Sequence, residues 1–237
     1  MPVVFDVSLM QGDLKAFAKA SSKFIENSAR LDELQVQLAT AVTNAKRSDG
    51  RVRWATNNGE SDEPIRTKPS TSHRTHGINL KPLVAEVSFD FGGVLCEKDK
   101  NRLIVSSGGT RIKLKWNMAD ADFTECHFDI HPNKDGHPTL HVQFVGEIKE
   151  IPRIPSFFAH PLDILEFTLM EVFQEKWKRA RGSVSCKIHL HTYPTNQRTR
   201  ILSVMENYTG WLDANESVAP LFSFQKTPAP PFDLYPI

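Results

Sequence analysis

Residues 123–145 concentrate the side chains able to do chemistry. Phe123-Thr-Glu-Cys-His-Phe-Asp-Ile-His131 alternates strictly. An extended chain therefore places Thr124, Cys126, Phe128 and Ile130 on one side, and Glu125, His127, Asp129 and His131 on the other. After Pro132-Asn-Lys-Asp-Gly-His-Pro138, the return strand sets Leu140, Val142 and Phe144 against His141 and Gln143. The two apolar sets must share a face, and that requirement selects the turn. A two-residue Asp135-Gly136 turn would oppose His131 to Leu140 and mix the faces. A three-residue loop, Lys134-Asp135-Gly136 with Gly136 left-handed, pairs His131 with Thr139, Asp129 with His141 and His127 with Gln143. Four histidines within residues 127–141 then converge with carboxylates. Glu125, Asp129, His131 and His141 are a ligand set for a divalent metal such as Mn, Mg, Fe or Zn. Equally, Asp129 could orient His141, with His127 nearby, as a general acid or base. The ordinary alternative is the wet outer face of an antiparallel sheet, where His–Asp neighbours simply hydrogen-bond.

A second candidate overlaps the return strand. Val142-Gln-Phe-Val-Gly-Glu147-Ile-Lys149 resembles the hydrophobic strand ending in Glu-x-Lys of restriction-endonuclease-like nucleases. The resemblance implies that Glu147 and an upstream acid, Asp129 or Asp135, hold a divalent metal while Lys149 positions or activates water. In that pattern a helix follows the strand, whereas here Ile151-Pro-Arg-Ile-Pro155 follows.

The flanking sequence indicates what positions these residues. From Asp13 to about Ala45 two helical patterns follow each other, Leu14/Phe17/Ala18/Phe24 and Leu31/Leu34/Leu38/Ala41/Val42, with a break at Asn27 or Ser28. Residues 1–45 therefore read as an α-hairpin suited to packing or oligomerisation. Residues 46–79 carry seven Lys/Arg against four acids and few large apolar side chains. They read as a basic mobile linker before a core domain at 80–215. Within that domain Val84–Phe91, Leu103–Val105, Arg111–Trp116, Phe123–His131 and Leu140–Val145 read as strands, with turns at Gly92-Gly93, Gly108-Gly109 and Asp135-Gly136. Pro161 opens a long helix to about Arg181, Val184–His191 alternates as a last strand, and a helix follows from Asn196. That last strand could bring His189 and His191 beside the histidine face. Residues 216–237 form a proline-rich tail. The fold class is α+β: an antiparallel β-meander covered by helices, with an N-terminal α-hairpin.

The formal net charge of +1 conceals segregation along the chain. Residues 98–115 carry six bases and one acid, residues 116–171 ten acids and three bases, and residues 176–200 seven bases and no acid. Arg153, Lys176, Lys178, Arg179 and Arg181 are accordingly candidates to meet phosphates beside an acidic, histidine-rich face. No apolar run approaches the roughly 18–20 residues needed to cross a bilayer, and a secretory signal is not expected. Cys96, Cys126 and Cys186 lack zinc-finger spacing and suit a reducing compartment, so the expected location is the cytoplasm.

The string Phe128-Asp-Ile-His-Pro-Asn-Lys-Asp-Gly-His-Pro-Thr-Leu-His141, then Arg153-Ile-Pro155, then Pro161 opening an apolar helix, resembles TumE-like bacterial domains of toxin–antitoxin and phage-defence loci. It is also similar to an uncharacterised bacterial family with the order His-Pro, His-Leu, Arg-Ile-Pro, helix. The likeness covers roughly residues 123–181, and the longer loop and N-terminal helices depart from the first pattern. It implies a toxic or defensive effector acting on nucleic acid, RNA more than DNA, with Asp129, His131, His137 and His141 at its centre. The alternative is a non-enzymatic adaptor or assembly subunit of such a complex, working with a cognate antitoxin or defence protein and oligomerising through the α-hairpin.

Overall fold

A computed structural model describes residues 3–57, 63–71, 81–116, 123–131, 139–145, 153–213 and 232–234. The chain opens with β1 (Val3–Asp6), then α1 (Val7–Ser21) and α2 (Ala29–Arg47). The strands β2 (Arg51–Ala55), β3 (Ile65–Arg66), β4 (Val84–Leu95), β5 (Arg102–Lys115), β6 (Thr124–Ile130), β7 (Leu140–Val145) and β8 (Arg153–Pro155) follow. Four helices complete the layer, α3 (Pro161–Phe173), α4 (Glu175–Gly182), α5 (Val184–His189) and α6 (Tyr193–Asp213), and β9 (Phe232–Asp233) closes the chain. The sheet runs β2-β4-β5-β6-β7-β8, with β1 added to β5, β3 to β4 and β9 to β1. Its pairs are antiparallel except β1 with β9. The α+β class and the helical hairpin at the N-terminus hold. Among the described residues no helix is long and apolar enough to cross a membrane.

The core lies between the helices and one face of the sheet. Phe89 and Phe91 of β4, Val105 and Ile112 of β5 and Phe128 of β6 meet Phe17 of α1, Leu34 and Leu38 of α2, and Leu165 and Leu169 of α3, all in one buried cluster. Asp6 caps α1 by accepting from the amides of Ser8 and Leu9 at 2.9 and 3.0 Å, which turns β1 directly into the hairpin.

Five local expectations are corrected. The segment 46–79 contains β2 and β3. Arg51 and Arg53 point out while Val52 and Trp54 point in, and the Trp54 ring lies 4.2 Å from that of Phe89 while its Nε1 donates to Leu34 O at 3.0 Å. One buried indole with a bonded N–H recruits a strand that composition alone reads as linker. Leu103–Val105 and Arg111–Trp116 belong to a single 14-residue strand rather than two. The pairing with β4 slips by one residue between Gly92 and Gly93, leaving Ser106 as the extra residue, and this bulge keeps Val105 and Ile112 on the same face. Gly93 serves close approach rather than a turn, because a Cβ there would overlap the Ile104 carbonyl.

The helix opened by Pro161 breaks at Gln174, whose φ of 45° separates α3 from α4. Val184–His189 is helical rather than extended. Cys186 and Leu190 are buried while Val184 and Ile188 are exposed, and a spacing of four satisfies both a strand and a helix. Here Ser183 caps the helix by accepting from the Cys186 amide at 3.3 Å. His189 and His191 consequently sit with the helices, where α5 packs on α1 and α4, and do not join the sheet.

Candidate metal centre on the open face of the sheet

The β6–β7 hairpin has the register that its alternation requires. Asp129 opposes His141, His127 opposes Gln143, and the His131 amide donates to Thr139 O at 2.9 Å. Phe128, on the other side of β6, lies edge-on to the rings of Phe158 and Phe167 beneath α3, so Asp129 and His141 face away from the helices. Asp129, His131 and His141 each offer one ligand atom, and these atoms lie within 4.8 Å of one another. His141 Nε2 is 3.8 Å from Asp129 Oδ2, and the two imidazole rings are 5.6 Å apart at 35°. His141 is only 1% exposed, whereas Asp129 and His131 are half-buried.

Ligand atoms at about 2.0–2.2 Å from one ion stand roughly 3–4 Å from each other, so small side-chain rotations would close the set. Two imidazoles and one carboxylate suit Mn, Fe or Zn, and three protein ligands leave a coordination position for water. The neighbouring strand makes room for this group. Gly109 on β5 opposes Asp129, and a Cβ at Gly109 would collide with Asp129 Oδ1.

Glu125 and His127 form a second group instead of completing the first. Glu125 is buried and accepts from Arg111 Nε at 2.8 Å, lies 3.6 Å from Lys113 Nζ and is 2.5 Å from His127 Nε2. Four residues of strand separate Glu125 from Asp129, about 13 Å. The expected metal ligand Glu125 is thus committed to cations, and His127 turns along the strand toward it. Cys126, between them on the apolar face, has its thiol pushed up by burial to about 11, which leaves it a packing residue rather than a nucleophile.

The basic residues near the candidate centre are not those of α4. Arg111, Lys113 and Lys115 alternate along β5 on the face that carries Asp129, with the Arg111 side chain 50% exposed. Lys176 and Arg179 are exposed on α4 and Lys178 pairs with Glu175 at 3.3 Å, but α4 packs on α3 and α5 in the helical layer, across the sheet. Arg181 Nε donates to Glu166 at 2.8 Å and its guanidinium covers Tyr193, so it is neutralised internally. Arg153 begins β8 opposite Gln143, two positions beyond the His141–Pro155 pair. Glu147, Lys149 and His137 lie outside the described residues. The β5 residues and Gly109 carry no chemical signal of their own. The period-two spacing of Arg111-Ile-Lys-Leu-Lys115 announces one shared face, but only the pairing of β5 with β6 says whose face it is.

A separate polar cluster is buried among the helices. Arg200 Nε and Nη2 donate to both oxygens of Asp163 at 2.7 and 2.5 Å, and Nη1 donates to Asp13 at 2.9 Å. Asn196 donates to Asp13 at 2.9 Å and the Tyr193 hydroxyl to Asp163 at 3.3 Å. Burial pushes the Asp13 carboxyl up against the opposing pull of Arg200, and pushes the Tyr193 phenol well above its usual value. Burial, then Arg200, hold the His160 imidazole well below its ordinary 6.5. His160 accepts from the Leu162 amide at 3.3 Å as the cap of α3, a role that needs the neutral ring. The cluster is buried and hydrogen-bonded, and it ties α1 to α3 and α6.

No protein-family model, curated protein or solved structure matches the chain.

Proposed function

We propose that Asp129, His131 and His141 hold a divalent transition metal, and that the protein is a metal-dependent hydrolase of phosphodiester bonds in nucleic acid, RNA more than DNA. The observation that carries the reading is the convergence of one carboxylate and two imidazoles within 4.8 Å on the sheet face turned away from the helices. A bound ion there would polarise a phosphoryl oxygen and lower the pKa of its water. Arg111, Lys113 and Lys115 on the same face attract the phosphate backbone. His127, two residues along the strand from Asp129 and hydrogen-bonded to Glu125, is a further group for proton transfer to a leaving oxygen, its backbone about 7 Å from that of Asp129. The role of a cytoplasmic toxin or defence effector is part of this proposal and rests on the resemblance of residues 123–181.

The test is metal analysis and titration calorimetry with Mn, Zn and Mg on the folded protein, followed by cleavage of single-stranded RNA and DNA with and without chelator. Asp129→Ala with His141→Ala should abolish tight metal binding and cleavage while circular dichroism stays unchanged. A folded wild type that binds none of these ions, or a double variant that still cleaves, would overturn the reading. A second reading, a non-enzymatic adaptor, is favoured by the exposed Phe144, Ile154, Phe167 and Met170 along β7, β8 and α3. It predicts a stable heteromeric complex without chelator-sensitive activity.

A further inference from the structure

We infer that the substrate of the proposed centre is single-stranded, and that it lies along the β5–β6 face with a base stacked on Phe123. This inference rests on the metal-dependent reading for its catalytic end, but its binding component stands on separate observations. Phe123 immediately precedes β6 and is 46% exposed. Its ring is held from one side by Lys113 Nζ, 4.7 Å from the centroid. Lys113 opposes Glu125 in the β5–β6 ladder, so Phe123 belongs to the face of Glu125, His127 and Asp129.

The electrostatics of the strip select the occupant. Arg66, Arg111, Lys113 and Lys115 share this face with Glu86, Glu125 and Asp129, one cation more than carboxylates, with Arg111 the most solvent-exposed cation. Cations tracking a backbone beside an aromatic platform is the arrangement that binds single strands. A base offers its π-face to such a ring only when it is unpaired and unstacked. From Phe123 to Asp129 the strand covers about 20 Å, room for several nucleotides between the stacking ring and the proposed centre. A duplex would present only phosphates to Phe123 and would gain nothing from it. The geometry therefore places a stacked base at the β5–β6 end and the scissile phosphate toward Asp129, with Arg111 between them.

The experiment is fluorescence anisotropy of labelled oligo-U, oligo-dT and a hairpin-free duplex with the full chain, in chelator at low salt so that cleavage cannot occur. Single strands should bind more tightly than duplex, and affinity should fall as salt rises. Phe123→Ala should weaken single-strand binding roughly 5- to 100-fold. Phe123→Leu, which keeps apolar packing and lacks a π-face, should behave like Phe123→Ala, whereas Phe123→Tyr should bind like wild type. Arg111→Gln should weaken all nucleic acids and reduce the salt dependence. Binding is read in chelator and without cleavage, so loss of the metal reading and loss of the binding track are separately visible. No measurable binding of wild type to any oligonucleotide overturns the inference. Duplex binding as tight as single-strand binding does so too, as does rescue by Phe123→Leu.

Discussion

Replacing Arg200 by Met tests how the N-terminal hairpin is joined to the rest of the molecule. Arg200 is one cation serving two carboxylates, each of the three groups being buried. Met keeps much of the stem volume and removes the guanidinium, leaving Asp13 with Asn196 and Asp163 with Tyr193 as donors. Breaking a buried ion pair from one side costs about 3–5 kcal/mol. The variant can limit that loss by taking up a proton on Asp13. From an ordinary value of 3.8, holding a proton at pH 7 costs about 3.2 pH units at about 1.36 kcal/mol each, or about 4.4 kcal/mol. Both routes give a loss of about 4 kcal/mol at pH 7, a large share of the roughly 5–15 kcal/mol that stabilises a domain.

The proton route also fixes the sign of the pH dependence. An acid whose folded pKa is raised above 3.8 contributes stability that is complete below 3.8 and lost as pH rises through the folded value. The deficit of Arg200→Met should therefore shrink by up to about 1.4 kcal/mol per pH unit on acidification from neutrality. Urea unfolding of both proteins at pH 7, 6 and 5, followed by circular dichroism, measures it. A variant within about 1 kcal/mol of wild type at pH 7, or a deficit indifferent to pH, would refute the account, since the expected cost is about 3–5 kcal/mol.

Gly109→Ala should displace the Asp129 carboxylate, with which the new Cβ would collide, and lower metal affinity about 10- to 100-fold by calorimetry while the melting curve stays cooperative. Unchanged affinity would show that Asp129 is not held where the centre needs it. His160 makes the opposite pH statement to Asp13. Its folded value is lowered below 6.5, so its stabilisation is present above 6.5 and is lost as pH falls from there toward the folded value. His160→Asn keeps a capping acceptor without a titrating ring, and its stability should fall less steeply than that of wild type between about pH 6.5 and 5. Parallel slopes in denaturant titrations would rule out His160 as the source.

The β6–β7 register was legible because the side-chain period of a strand is two. A slip of one residue would have turned Phe128 and Ile130 outward, so alternation fixes the parity of the pairing and the loop length fixes the rest. The hairpin of α1 and α2 was legible for the matching reason at a period near 3.6. Val184–His189 was not, since buried residues four apart fit either period. Trp54 shows the limit of composition: its neighbours in the chain are polar, but contacts with Leu34 of α2 and Phe89 of β4 are what place it.

The candidate centre divides along the same line. Local alternation determined that Asp129 and His141 would be neighbours, because a hairpin brings together residues close in the chain. That Glu125 would be taken by Arg111 and Lys113, and that Gly109 would leave space for Asp129, depended on β5 pairing with β6. The long basic run of residues 176–200 is the clearest case. Its charge is visible in the sequence, yet Arg181 is neutralised by Glu166 and Arg200 by Asp163 and by Asp13, a residue 187 positions away. Periodicity is a property of neighbouring residues and survives in the linear chain. Charge partnership is a property of distance in space, and only the packing of α1 against α3 and α6 decided it.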